Sequence, residues 1–355
     1  MANTARAHIN LAALRKNLQL VRTLSPQSRI MAVVKANAYG HGLLVVAKAL
    51  DTADGFAVAR LEEAQLLRQS GTTQRILLLG TNLSTADLTT CAELNIDIVV
   101  HNHTTLEAIQ QLEGSRKLAV WVKMDTGMHR LGFSPSQFIP ALEQLKLFSA
   151  VKEITLMSHF ISSESSHRAT TEKQLEIFQR ETKNQAFAVS LANSGAIFNH
   201  PDSHCDWVRP GIMLYGASPG GACSVDQLES VMTLSSSILA IRSLDAGETV
   251  GYGGNWRSDK QTRIATIGIG YGDGYPRHAP NGTPVKIGNS LVPLVGRVSM
   301  DLITVNLGST PANVGDSVTL WGEGLSATSV AKHAKTIAYD LFTGVTARVE
   351  RIYHS

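Results

Sequence analysis

The 355-residue sequence predicts an α/β protein, with an N-terminal (β/α)8 barrel at residues 1–230 and a C-terminal mostly-β domain at residues 231–355. Two observations lead to this prediction. About eight short apolar runs alternate with amphipathic helical patterns over the first two-thirds of the chain, which is typical of a parallel sheet covered on both faces. Beyond residue 231 the apolar residues alternate or are β-branched, and glycine-bearing turns separate them.

The predicted elements follow a regular order along the chain. A first helix at 11–24 precedes the barrel, and helical patterns recur at 43–50, 61–69, 106–112, 135–147 and 171–182. The barrel strands are predicted at 31–34, 55–59, 75–79, 96–100, 118–124, 154–158, 186–191 and 206–209. The second domain has predicted strands at 233–239, 263–269, 285–287 and 302–305, and one helix near 326–335 that Ser326 caps. A doubly wound sheet is the main alternative, but no GxGxxG fingerprint supports it.

Composition and charge exclude several classes of function. The net charge is +3, 43% of the residues are hydrophobic, and no basic block is present, so we expect a globular protein that does not bind nucleic acid. Charged residues interrupt the N-terminal apolar residues, so we expect neither a signal peptide nor a membrane span. The cysteines, Cys91, Cys205 and Cys223, are scattered and lack CxxC spacing. We therefore expect no disulfide, no metal site and a cytoplasmic location.

The stretch VVKANAYGHG at residues 33–42 places Lys35 directly after the first predicted barrel strand, before a turn with two glycines. A free lysine has a pKa near ~10.4 and does no proton chemistry at neutral pH. A lysine that forms a Schiff base with an aldehyde cofactor escapes this limit, because substrate displaces it as a neutral amine beside the reacting carbon. By position alone Lys35 is more typical of a solvated charge, so the whole motif carries the prediction.

Further polar residues and glycines stand near the C-terminal ends of the predicted strands, where barrel active sites lie. Asn193-Ser194-Gly195 precedes a short helical turn, and Gly211 follows the last strand, which is where barrels commonly bind phosphate. Tyr39 and Tyr339 are candidate phenolic donors. The residues that the topology is expected to bring to one rim are Lys35, Arg130, His159, Ser194, Arg209 and Gly211.

The chain carries eight motifs, in order and over nearly its whole length, that resemble those of the alanine racemase family. They lie at residues 34–42, 123–132 (KMDTGMHRLG), 158–160 (SHF), 193–194 (NS), 207–212 (WVRPGI), 250–253 (VGYG), 270–274 (GYGDG) and 296–301 (GRVSMD). The resemblance implies a pyridoxal 5'-phosphate enzyme of fold type III that interconverts L- and D-alanine with two bases. It also implies a head-to-tail homodimer whose active sites mix both subunits.

The resemblance also implies residue roles. Lys35 holds the cofactor and is one base, and Tyr252 from the other subunit is the second base, assisted by His159 and Arg209. Arg209 faces the pyridine nitrogen. Lys123 matches a position that is often carbamylated, and an ordinary ion-paired lysine is the alternative. The remaining implied roles are cofactor binding for Tyr39, His159, Ser194, Arg209, Gly211, Ile212 and Tyr339, substrate binding for Arg130 and Met300, and an entrance narrowed by Tyr271 with Tyr339.

Two competing functions are weighed against this one. A barrel-fold pyridoxal-phosphate decarboxylase would place an acidic residue opposite the pyridine nitrogen and a catalytic cysteine in the β domain, whereas this chain has Arg209 and no cysteine after Cys223. A non-catalytic cofactor-homeostasis protein would be a single barrel, without a second domain carrying Tyr252. The chain departs from the family near its C-terminus, where residues 348–351 read Arg-Val-Glu-Arg and Arg-Val-Pro-Arg is common.

Overall fold

The computed structural model describes residues 5–80, 82–112, 117–163, 168–220 and 227–355. After a first short strand, β1 (Arg6–Asn10), eight parallel strands close into a barrel, which confirms the predicted fold. Its last strand returns to its first through the pairs Arg29↔Trp207 and Ile30↔Val208. The barrel strands are β2 (Arg29–Val33), β3 (Gly55–Val58), β4 (Arg75–Leu78), β5 (Ile96–Val100), β6 (Leu118–Lys123), β7 (Val151–Met157), β8 (Ala188–Asn193) and β9 (Trp207–Arg209).

Helices lie between the barrel strands, as the sequence predicts. Their starts follow local capping chemistry: the side chain of Asn10 accepts the N–H of Ala13 at 2.9 Å, and that of Asn102 accepts the N–H of Thr105 at 2.9 Å. The described helices of this part are α1 (Leu11–Leu24), α2 (Lys35–Tyr39), α3 (Leu43–Ala49), α4 (Leu61–Gln69), α5 (Thr85–Glu93), α6 (His103–Gln110), α7 (Pro135–Leu147), α8 (Arg168–Thr182) and α9 (Ser194–Asn199).

The rest of the chain is mostly β, as predicted. Ser326 caps its first helix by accepting the Ser329 N–H at 3.2 Å, and a second helix, absent from the sequence expectation, follows it. Its strands are β10 (Met232–Leu244), β11 (Thr249–Val250), β12 (Trp256–Arg257), β13 (Thr262–Ile267), β14 (Pro284–Ile287), β15 (Ser290–Pro293), β16 (Ile303–Asn306), β17 (Ser317–Trp321) and β18 (Glu350–His354), and its helices are α10 (Ala327–His333) and α11 (Ala338–Gly344).

Strand β1 lies in the sheet of the second part of the chain, which the sequence did not predict. It pairs antiparallel with β10, where Ala7 faces Leu234, and parallel with β18, where Ala7 faces Arg351. Ala7 and Ile9 point into the core and are fully buried. The first and last strands of the chain are therefore neighbours, and the proposed division at residue 230 stays a prediction.

Two further features bear on the expectations from composition. Within the described ranges, no helix combines the length and the apolar character needed to cross a bilayer. Cys91 and Cys205 are free thiols, and Cys223 lies outside the described residues. Burial raises the pKa of the Cys91 thiol to about 12 and that of Cys205 to about 11, so neither is poised as a nucleophile at neutral pH.

Candidate active site

A cavity of ≈ 280 Å³ lies at the C-terminal ends of the barrel strands. Val33, Leu79, Met157 and Asn193 also line it. The sequence placed Asn193 in the tripeptide expected near a phosphate but assigned it no role, and it did not select the other three. The predicted residues that the structure brings together here are Lys35, Tyr39, Lys123, Arg130, His159, Ser194, Arg209, Gly211 and Tyr339.

The backbone after Lys35 makes a left-handed turn. Ala36, Asn37, Ala38 and Tyr39 have φ values of 55°, 54°, 53° and 51°, so α2 is not a right-handed helix. This conformation costs about 1–2 kcal/mol per residue for L-amino acids. Nothing in this run of non-glycine residues signals it in the sequence, so tertiary contacts must hold the turn.

The side chain of Lys35 is partly buried and lies near the guanidinium of Arg130. Burial, and secondarily the charge of Arg130, lowers the pKa of Lys35, while the carboxylate of Glu63 opposes the shift. Glu63 also supports the turn, because its carboxylate oxygens accept the N–H of Asn37 at 3.2 Å and that of Ala59 at 3.1 Å. A lowered pKa brings the neutral, nucleophilic amine closer to physiological pH.

Two more titratable groups line the same cavity. Burial, followed by the charges of Arg209 and Arg130, lowers the pKa of Lys123 to about 8. Burial, followed by the same Arg209, lowers the pKa of His159 well below its usual value, so its imidazole is neutral at physiological pH. Among the described residues that line the cavity, none is an aspartate or a glutamate. Such a cationic cavity favours an anionic ligand.

Arg209 is fixed in the floor of the site by hydrogen bonds. Its Nη1 donates to Ser190 Oγ at 2.6 Å, and its Nη2 donates to the carbonyls of Ser158 at 2.7 Å and Leu191 at 3.3 Å. Burial lowers the pKa of Arg209 to about 10, which leaves the guanidinium protonated at neutral pH. Arg209 therefore presents a permanent charge that donates hydrogen bonds and accepts none.

The loops after the last two barrel strands are joined at Ser194. Its Oγ accepts the N–H of Gly211 at 2.8 Å, and α9 begins here with the Asn193 side chain accepting the Ala196 N–H at 3.1 Å. A Cβ on Gly211 would lie 2.6 Å from Tyr39 Oη, so the glycine makes room for that phenol. Ile212 follows, buried, at the start of a short 3-10 turn and outside the cavity lining.

Tyr252, Met300 and Tyr271 do not line this cavity, although the sequence assigned them to an active site. They lie on the second part of the chain with exposed fractions of 71%, 53% and 38%. The hairpin of β11 and β12 presents Tyr252, and a different pair of loops presents the other two. Those two loops are joined where the N–H of Gly272 donates to the carbonyl of Met300 at 2.8 Å.

Comparison with known proteins identifies the family to which the chain is similar. Residues 9–219 match the family model of the alanine racemase N-terminal domain, and residues 231–353 match that of its C-terminal domain. An alanine racemase of Aeromonas hydrophila is 48% identical over 97% of this chain and 97% of its own length, and one of Vibrio cholerae is 47% identical over 99% and 98%.

Solved structures agree with the family models. The biosynthetic alanine racemase of Pseudomonas aeruginosa is 43% identical, with a TM-score of 0.97 over 99% of this chain and all of its own. The alanine racemase of Bartonella henselae, solved with covalently bound pyridoxal phosphate, is 32% identical with a TM-score of 0.91 over 99% of each chain. Both domains, in this order, match over nearly the whole length. The chain belongs to the alanine racemase family.

Proposed function

We propose that this protein interconverts L- and D-alanine with pyridoxal 5'-phosphate, as a homodimer in which each active site uses residues of both chains. One observation carries the proposal. A lysine of lowered pKa, a buried arginine and the Ser194–Gly211 connection lie in a single cavity at the barrel rim. The membership of the family and the two-domain match support the same conclusion.

The residues that line the cavity fit this cofactor. An aldehyde needs a neutral amine, and Lys35 has a lowered pKa. A phosphate needs donors, and the hydroxyls of Ser194 and Tyr39 lie beside Gly211 at the rim position where barrels bind phosphate. A heteroaromatic nitrogen facing Arg209 would accept a hydrogen bond from the guanidinium. The guanidinium is already protonated, so it could not accept a proton from that nitrogen. When bound, the cofactor draws electrons from the substrate Cα and thereby weakens its C–H bond.

Racemisation needs proton transfer on both faces of the substrate. Lys35, as a free neutral amine, would take or return a proton at the substrate Cα on one face. Tyr252 does so on the other. The cationic lining supports these transfers, because the charges of Arg209 and Arg130 favour anionic groups near them. His159 stays neutral and is available to donate and accept hydrogen bonds together.

The alanine carboxylate requires its own partners. Arg130 lines the cavity and is exposed, so its guanidinium is free to meet a carboxylate that enters from solvent. Asp125 supports the loop that carries it, because Asp125 Oδ1 accepts the N–H of Gly127 at 2.9 Å and that of His129 at 3.0 Å. The backbone of Met300 from the second chain adds a donor, and Tyr271 with Tyr339 narrows the entrance to side chains near the size of methyl.

The position of Tyr252 supports the proposed homodimer. Tyr252 is 71% exposed and does not line the cavity that contains Lys35 in its own chain. An exposed tyrosine held on a glycine-rich hairpin is suited to enter a neighbouring molecule. A symmetric dimer would then build two equivalent sites, each with Lys35 from one chain and Tyr252, Tyr271 and Met300 from the other.

The location and physiological role belong to the same proposal. Two free thiols, Cys91 and Cys205, fit a reducing cytoplasm. The D-alanine product supplies peptidoglycan synthesis, a role favoured by the likeness to the biosynthetic alanine racemase of Pseudomonas aeruginosa. A catabolic role is the alternative, and a deletion strain that grows without added D-alanine would favour it.

The activity is tested with purified protein and added cofactor. We expect L-alanine in D2O to yield D-alanine with deuterium at Cα, and the reverse from D-alanine, with no release of CO2. L-serine and L-lysine, tested in parallel, define the substrate range. The Lys35→Ala variant should give no product. Release of CO2 without racemisation would identify a decarboxylase, and cofactor binding without turnover of any of these amino acids would identify a homeostasis protein.

A further inference from the structure

The left-handed turn after Lys35 exposes its carbonyls to side chains rather than to a continuing helix. His41 Nδ1 lies 3.1 Å from the carbonyl oxygen of Ala38 and 2.9 Å from that of Tyr39. Both partners are acceptors, so Nδ1 must carry the proton and donate. His41 is fully buried, and it secures the turn from the core side.

The next carbonyl along the turn is held from the other side by Arg351. Its Nε donates to the carbonyl of Gly40 at 2.6 Å. The same guanidinium donates to the carbonyls of Val345 at 3.0 Å, Val349 at 3.2 Å and Thr346 at 3.4 Å. Every hydrogen bond that the structure describes for Arg351 ends on a backbone carbonyl, so this side chain joins two backbone segments instead of neutralising a carboxylate.

The turn and the second part of the chain are also in close steric contact. Gly40 has φ +79°, and a Cβ there would overlap the carbonyl of Phe342 at the end of α11. Gly42 has φ +102°, and a Cβ there would overlap the hydroxyl of Tyr353 in β18. The glycines allow the approach, and Arg351 supplies hydrogen bonds across it. These contacts are made within one chain, between the barrel rim and the last strand.

We propose that Arg351 is a positioning residue for the cofactor site: its guanidinium holds the Gly40 carbonyl and so fixes the turn that presents Lys35 and Tyr39. This role is separate from any contact with substrate, and it rests on the proposed function of Lys35. It gives the last strand of the chain a direct influence on the site formed by the first barrel strand.

Tyr39 shows why the position of the turn matters. Its ring stacks on Tyr215 with centroids 4.7 Å apart, and Tyr215 in turn donates to the carbonyl of Val33 at 3.0 Å. The Tyr39 hydroxyl lies in the space left by Gly211. A turn that relaxes toward right-handed backbone would withdraw this phenol from the cavity and change the direction in which Lys35 leaves the strand.

Arg68 provides a matched control, because it makes the same kind of contact at the opposite end of the barrel. Its guanidinium donates to the carbonyls of Leu94 at 2.8 Å, Thr72 at 2.8 Å, Gln74 at 2.7 Å and Asn95 at 2.8 Å. The variants Arg351→Met and Arg68→Met therefore remove equivalent sets of hydrogen bonds. A purely structural role predicts equivalent effects of the two changes on the cofactor site.

The experiment compares the two variants in the dimeric protein. Hydrogen exchange on the cofactor-free form should be about tenfold or more faster at the amides of residues 36–42 in Arg351→Met, and unchanged there in Arg68→Met. The dissociation constant of pyridoxal phosphate, followed by its absorbance, should rise about tenfold in the first variant only. In both the exchange rate and the dissociation constant, Arg351→Lys should fall between Arg351→Met and the unchanged protein. An ammonium can still donate a hydrogen bond to the Gly40 carbonyl, but it cannot reach the two backbone segments at once.

The outcomes separate this proposal from the one on which it rests. If the unchanged protein binds pyridoxal phosphate and Arg351→Met matches Arg68→Met in both exchange and affinity, Arg351 has no positioning role. If the unchanged protein fails to bind pyridoxal phosphate, the proposed function fails. The exchange measurement on residues 36–42 still decides in that case whether Arg351 fixes the turn.

Discussion

Ser194 Oγ accepts the backbone N–H of Gly211 at 2.8 Å, and this bond joins the loops that follow the last two barrel strands. The same oxygen lies 3.4 Å from the N–H of Met213. Since the site is expected to hold a phosphate, Ser194→Ala should weaken the binding of pyridoxal phosphate about tenfold by removing a donor and freeing the loop. Equilibrium titration of the cofactor measures the effect.

The control for this change is Ser28→Ala at the other end of the barrel, where the hydroxyl donates to the carbonyl of Cys205 at 2.7 Å. That variant should bind the cofactor as the unchanged protein does. An equal loss of affinity in the two variants would mean that Ser194 acts through general stability and has no part in holding the phosphate.

Gly211 and Tyr39 should be energetically coupled. A Cβ on Gly211 would lie 2.6 Å from Tyr39 Oη, so Gly211→Ala should lower the free energy of unfolding by about 1–3 kcal/mol through overpacking. Adding Tyr39→Phe removes the clashing oxygen and should restore most of that loss. Denaturant unfolding of the cofactor-free single and double variants gives the coupling energy.

Gly71→Ala serves as the control for this cycle, because no atom of the described residues, its chain neighbours aside, lies within 4 Å of a Cβ at that position. Gly71→Ala changes the free energy of unfolding through the backbone at φ +88°. This change should add to the change caused by Tyr39→Phe, without coupling between the two. Additivity in the Gly211 cycle as well would show that the phenol moves aside without energetic consequence.

Lys123 should reduce stability at neutral pH. Its pKa is lowered from 10.5 to about 8, mainly by burial, so between these pH values the unfolded chain binds more protons at this residue than the native protein does. Stability therefore rises with pH across that interval, by up to about 3 kcal/mol. We expect Lys123→Met to be more stable by about 2–3 kcal/mol at pH 7, with the advantage shrinking as the pH rises toward 10.

Unfolding of the cofactor-free protein in CO2-free buffer over a range of pH measures this difference. Lys48→Met on α3 is the control, since the exposed Lys48 side chain loses no burial cost when it is replaced. A Lys123→Met variant that is less stable than the unchanged protein at pH 7 would mean that the ammonium is compensated in the native state, and the argument from burial would be wrong.

Lys123 is also expected to take up CO2. Its pKa of about 8 provides neutral amine, and the carbamate formed would be an anion among the charges of Arg209, Arg130 and Lys35, which contribute to that low pKa. With 13C-bicarbonate we expect a carbamate carbon signal that grows as the pH rises through 8 and is missing in Lys123→Met. Retention of the signal in that variant would assign it to another amine.

Much of the barrel and its rim could be predicted because the signals are local. Each barrel strand contains a short apolar run, and several rim residues stand within two residues of the end of a strand, as Lys35 does after β2 and Ser194 after β8. The closed parallel topology then brings the rim residues to one cavity, because parallel strands share their C-terminal edge.

The parts that could not be predicted depend on contacts between distant residues. Strand β1 has only five residues, and its pairing with β18 joins positions more than 340 residues apart, for which the local sequence holds no signal. The left-handed turn at residues 36–39 contains no glycine, and its hydrogen bonds to side chains involve His41 and Glu63, with Arg351 on the adjoining Gly40 carbonyl. The hydroxyl partner of Arg209, Ser190, likewise lies in another strand.

Each active site is proposed to use Lys35 of one chain together with Tyr252 of the other. Heterodimer complementation tests this pairing most directly. The chains Lys35→Ala and Tyr252→Phe, co-expressed with different tags and purified through both, form dimers with one intact site if the sites are shared. We predict inactive parent homodimers and a heterodimer with about half the racemase activity of the unchanged dimer. A heterodimer as inactive as its parents, with cofactor still bound to the Tyr252→Phe chain, would contradict the account.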